Sequence, residues 1–81
     1  MLHYSFIRPG SRVQLVEQGQ AHPKVFVGIS NIGTTQVFVR VDGTDQTIDP
    51  SESRIYYGQS IEVREFSTGQ GGMICFSVGG G

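Results

Sequence analysis

The chain carries a single cysteine, Cys75, among its 81 residues, so no disulfide closes within it and a cystine-stapled secreted module is excluded. Long apolar runs are missing too: nothing approaches the roughly 20 residues of a membrane-spanning helix. Residues 1–8 (MLHYSFIR) show no basic start followed by an apolar stretch, so the sequence predicts neither export nor membrane anchoring. Charge of one sign is also lacking. Six Lys and Arg against seven Asp and Glu leave a formal net charge of −1, without the field that gathers a polyanion or holds a protein on an anionic membrane. No segment shows a 3.6-residue apolar period and no block recurs at a fixed spacing, which argues against helices, solenoids and propeller blades.

What is present is period-two alternation. Val37-Phe38-Val39-Arg40-Val41 and Ser60-Ile61-Glu62-Val63-Arg64 each place apolar side chains on one face of an extended strand. Leu2 to Ile7, Arg12 to Val16, Lys24 to Ser30, Gln36 to Asp42, Gln46 to Ile48, Arg54 to Tyr57, Ser60 to Phe66 and Met73 to Val78 read as short strands. Between them lie turn signals: Pro9-Gly10, Asp42-Gly43, Asp49-Pro50-Ser51-Glu52 and the glycine-rich stretch 67–72. The fold predicted is all-β: one domain over residues 1–81, a small antiparallel sandwich or compact barrel of seven or eight strands, with a flexible glycine tail at 79–81. Its most confident pairing is a hairpin of Lys24–Ser30 with Gln36–Asp42 across Asn31-Ile32-Gly33-Thr34-Thr35. In that hairpin Val25, Val27, Ile29, Val37, Val39 and Val41 face the core, and Phe26, Phe38 and Arg40 face away.

Chemistry-bearing clusters are scarce. His3 sits in a terminal strand and His22 precedes a proline in the polar loop 17–23, so neither is placed beside a nucleophile and an orienting acid. Cys75 alternates with Ile74 and Phe76 and has no basic neighbour in sequence to activate it. Asp42, Asp45 and Asp49 bunch in one turn region, but the spacing is not that of an EF-hand and turns favour Asp for local hydrogen bonding. Gly69-Gln70-Gly71-Gly72 shares only its glycine content with phosphate-cradling loops. The sequence therefore predicts no catalytic residue, no cofactor and no metal.

A chain this short buries only about 60% of its unfolded surface, so association with another chain is the natural supplement. The residues predicted to make that contact are Tyr4, Phe26, Phe38, Arg40, Tyr56 and Tyr57, aromatic or amphipathic groups expected outside the core. Two other readings use the same residues. Tyr56 and Tyr57 would form the stacking platform of a carbohydrate-binding module. Joined by Phe38 and Arg40 they would line a nucleic-acid-binding β-barrel, which the scattered and balanced charges disfavour.

The stretch Val27 to Gly43, followed by Ile48-Asp49-Pro50-Ser51-Glu52-Ser53 and Gly58-Gln59-Ser60-Ile61-Glu62-Val63, resembles small bacteriophage virion proteins of β-sandwich type over about half the chain. Ser51 stands where a glycine often follows the proline in such turns. The resemblance implies a non-enzymatic protein that decorates or cements a capsid or sits at a head–tail junction. Its partners would be the major capsid or another virion protein and further copies of itself, and its location the virion after synthesis in the host cytoplasm.

Overall fold

The computed structural model describes residues 2–16, 24–65 and 70–79. Within them lie eight strands: β1 (His3–Ile7), β2 (Arg12–Val16), β3 (Val25–Asn31), β4 (Val37–Val41), β5 (Thr44–Ile48), β6 (Ser53–Gly58), β7 (Ile61–Arg64) and β8 (Gly72–Gly79). They form two antiparallel four-stranded sheets, ordered β1-β8-β3-β6 and β2-β7-β4-β5. Alternation decides which side of each strand is buried. Ile7, Val27, Ile29, Tyr56 and Ile74 come from the first sheet, and Val37, Val39, Ile48, Ile61 and Val63 from the second. None of the ten is more than 5% exposed. Most are β-branched, the shape that packs best on a pleated surface.

The all-β expectation holds, with eight strands in two sheets, but the hairpin predicted over residues 24–42 does not form. β3 pairs with β6 and β8, whereas β4 pairs with β5 and β7. The two strands lie in opposite sheets and meet through their side chains. An apolar inner face looks the same in sequence whether its partner is beside it or across the core, so alternation alone cannot separate the two arrangements. Six of the seven connections in fact cross between sheets; only β4 and β5 are joined as a hairpin. Gly79, expected in the flexible tail, belongs to β8; residues 80 and 81, like 17–23 and 66–69, lie outside the described residues.

Asn31 makes the β3–β4 crossing possible. It is 1% exposed, and its side-chain amide donates to the carbonyls of Thr35 (2.9 Å) and Ile48 (3.0 Å) while its Oδ1 accepts from Gly33 N (3.1 Å). Its backbone reaches the neighbouring turn, donating to Glu52 O and accepting from Ser51 N. One buried amide thus ties two corners of the sandwich, and it is satisfied at every one of these contacts.

The β4–β5 hairpin turns on Asp42 and Gly43, both at positive φ (48° and 87°), the two-residue geometry that matches strand twist. Asp42 Oδ1 also accepts from the backbone N–H groups of Gln59 and Ser60, fixing the β6–β7 turn against it. The β5–β6 turn is Asp49-Pro50-Ser51-Glu52, closed by Glu52 N donating to Asp49 O at 3.0 Å. Ser51 sits there at φ 71°, a conformation that a residue with a Cβ adopts at a cost of about 1 kcal/mol.

Two outcomes follow for stability. Ser51→Gly relieves that backbone strain and raises the unfolding free energy by up to about 1 kcal/mol, measured by urea denaturation. Asn31→Asp leaves two buried carbonyls facing a carboxylate and lowers stability by about 3 kcal/mol at neutral pH. Burial raises the folded-state pKa of the introduced carboxyl, so this loss shrinks as the pH falls and the group takes up a proton it can donate.

Candidate functional site: an apolar sheet face

The two outer faces of the sandwich differ in chemistry. On the β2-β7-β4-β5 sheet the strand register sets Arg12, Arg64, Phe38 and Thr47 in one row and Gln14, Glu62, Arg40 and Asp45 in the next. Arg40 Nε donates to Asp45 Oδ1 at 2.8 Å and Nη2 to Oδ2 at 3.2 Å, a two-pronged pair. That hydrogen bonding holds the Asp45 carboxyl below and the Arg40 guanidinium above their ordinary ranges. Arg12 approaches Glu62 at 3.9 Å. Arg40 and Asp45 stand partly in solvent, whereas Glu62 is only 6% exposed.

The outer face of the β1-β8-β3-β6 sheet carries no charged side chain in its rows. Register places Tyr57 beside Phe26 and Gly79, Ile55 beside Gly28 and Ser77, and Ser53 beside Ser30, Cys75 and Tyr4. Phe6 lies opposite Met73. The large members are open to solvent: Leu2 61%, Tyr4 68%, Phe6 53%, Phe26 50%, Ile55 76% and Tyr57 51% exposed. The Phe26 and Tyr57 rings touch with centroids 4.4 Å apart, and Lys24 Nζ lies 5.7 Å from the Tyr57 ring centre at the border of the face. The centre is low because its side chains are small. Gly28, Ser30, Cys75 and Ser77 floor a basin of about 530 Å³ walled by Leu2 and Ile55.

The six contact residues expected from sequence do not share one surface. Tyr4, Phe26 and Tyr57 lie on the apolar face, Phe38 and Arg40 on the opposite, charged one, and Tyr56 is in the core at 5% exposure. The expectation that Tyr56 faces a neighbour is therefore corrected. Adjacent residues of a strand point to opposite sides, so Tyr56 and Tyr57 cannot both look outward, and the two-tyrosine sugar platform does not exist. Phe38 and Arg40 likewise cannot join Tyr57 in one nucleic-acid track. Leu2, Phe6, Ile55 and Gly28 belong to the apolar face but were not among those six. A glycine in mid-strand and apolar groups on both sides of β1 and β6 were the signals for them.

The remaining polar candidates are separately engaged. Asp42 caps a turn, Asp45 pairs with Arg40, and Asp49 Oδ1 accepts from Gln36 Nε2 at 2.6 Å. Among the described residues no three His, Cys, Asp or Glu side chains cluster as metal ligands would. His3 stacks on Phe76 with centroids 5.3 Å apart; His22 lies outside the described residues. Glu65, 5% exposed, accepts from Thr35 Oγ1 at 2.7 Å.

No protein-family model matches the sequence, and neither does any curated protein. Solved structures do. The Cupin_2 domain of an XRE family transcriptional regulator from Enterobacter cloacae superposes with a TM-score of 0.73 at 12% identity, covering 99% of this chain and 80% of that one. A de novo designed double-stranded β-helix gives 0.72 at 15% identity, covering 96% and 97%. The fold is a double-stranded β-helix. Sequence identities this low carry the architecture alone, and eight-stranded sandwiches of this winding occur in viral capsid domains, lectins and cupins alike.

Inside this double-stranded β-helix the described core is filled by aliphatic side chains. Buried polar groups are few, Asn31, Glu62, Glu65 and the Tyr56 hydroxyl, and the last has no hydrogen-bond partner among the described residues. Desolvation there raises the phenol's pKa above its ordinary value. Removing an unpaired buried hydroxyl removes its desolvation penalty, so Tyr56→Phe raises the unfolding free energy by about 1 kcal/mol, read from thermal or urea melts.

Proposed function

We propose that this chain is a non-enzymatic structural protein that associates with copies of itself, and with a larger protein assembly, through the outer face of the β1-β8-β3-β6 sheet. The observation that carries this reading is the uncharged face itself, with six large apolar side chains each at least half exposed. Four of them are aromatic rings, which at roughly 150–250 Å² apiece leave about 400 Å² of ring surface in water. With Leu2 and Ile55 the patch exceeds what an ordinary monomer exposes, roughly 300–600 Å², and nears the ~800 Å² that each partner contributes to a stable interface.

The packed interior and the separately paired polar groups favour a scaffold over a catalyst. A virion is the setting this reading prefers: the turn pattern resembles small phage virion proteins, and sandwiches of this winding also build viral shells. In a symmetric shell, repetition converts a weak single contact into firm attachment.

The reading is tested by sedimentation equilibrium on the wild type and on Tyr57→Lys. The wild type is expected to form dimers or larger species at micromolar concentration. The variant gives up one ring pair, worth about 0.5–1.5 kcal/mol, keeps its fold by circular dichroism and sediments as a monomer. A wild type still monomeric at about 1 mM, where a contact of ~4 kcal/mol would be half occupied, sinks the proposal.

A further inference from the structure

Gly28 is the least explained residue of the fold. It lies in the middle of β3, where glycine weakens a strand. Its φ is not in the positive region reserved for glycine. A Cβ built on it would meet only Ser77 Oγ, at an ordinary 3.7 Å. The contrast with its neighbours is sharp: at Gly58 a Cβ would come within 2.8 Å of Val41, and at Gly72 within 2.6 Å of Val37, so packing inside the sandwich demands glycine there. Nothing inside the chain demands it at position 28. Gly28 faces the basin, flanked by Ser77 and Ile55 in the register, with Ser30 and Cys75 in the next row. The small floor keeps a space open for something outside the chain.

Resting on the self-association proposed above, we infer that the basin over Gly28, Ser30, Cys75 and Ser77 receives the Ile55 side chain of a second copy, so that two chains dock reciprocally, ridge into basin. Ile55 is the most exposed large apolar residue described, at 76%, and stands on the wall of the same basin. A two-fold axis lying between the facing sheets and running near β3 brings each Ile55 over the other's floor, as an isologous contact requires. The rows of the face carry no charge, and the two cations beside them are engaged within the chain, Arg54 at the basin with Glu52 and Lys24 over the Tyr57 ring, so nothing there selects an acidic or basic partner. They do offer an apolar ridge and an apolar-walled hollow on the same surface, which is self-complementarity.

The test is the oligomeric state of Gly28→Val and Ile55→Ser beside the wild type, with melting curves to establish that each is folded. Valine fills the basin while suiting a strand, so Gly28→Val is expected to melt no lower than the wild type and to be monomeric. Ile55→Ser is expected to weaken the dimer by roughly 30-fold or more, as for a buried hot-spot side chain, and decides the matter if the valine variant fails to fold.

A wild-type dimer that survives both Gly28→Val and Ile55→Ser overturns the docking mode and leaves the structural role standing. A monomeric wild type removes the self-association on which the inference rests. If that monomer binds the apolar dye anilinonaphthalene sulfonate and loses it in Gly28→Val, the basin belongs to a small apolar ligand instead, and the inference is overturned.

Discussion

Face-to-face burial of β-branched side chains is the constraint from which the rest of this molecule follows. Two four-stranded sheets have one thin core between them, and every strand contributes only alternate residues to it. With so few positions, the interior takes nearly all of its volume from Val and Ile. The connections must then carry the chain from one layer to the other almost every time, and polar groups at those corners must find partners inside the protein. Asn31 answers that need at the tightest corner, where the backbone leaves one sheet for the other.

Much of this was legible in the residues. The strand positions, the inward sets Val25, Val27, Ile29 and Val37, Val39, Val41, and the turns at Asp42-Gly43 and Pro50 follow from alternation and turn chemistry. Strand partnership was not, because β3 and β4 present the same pattern to a neighbour at 4.8 Å in one sheet as to one about 10 Å away across a core. The role of Asn31 was hidden for a related reason: an Asn two residues before Gly33 reads as a turn residue, and only its burial between two corners shows a bridge. The candidate face was half visible. Tyr4, Phe26 and Tyr57 were recognisable as surplus aromatics, but Tyr56 cannot share that face with Tyr57, because neighbours in a strand point to opposite sides. Gly28 carried its own signal as a strand glycine with no turn to serve.

The two outer surfaces divide the labour of the sandwich. One holds paired Arg, Asp and Glu side chains that keep it in water. The other holds rings and aliphatic groups around a shallow centre. Such an asymmetry orients the domain in any assembly, because only one side gains by leaving solvent. A double-stranded β-helix suits this division, since its core is packed from the inner faces of both sheets and leaves the outer faces free to vary.

β8 lies between β1 and β3 in the apolar sheet, although it is the last of the described strands to be made. Until it inserts, β1 has no partner, and half of the basin floor, Cys75 and Ser77, is missing. A nascent chain therefore displays no finished apolar face while translation has still to reach residue 79. If that face joins copies of the chain as proposed, growing polypeptides crowded on one message are kept from pairing too early by the order in which the strands are threaded.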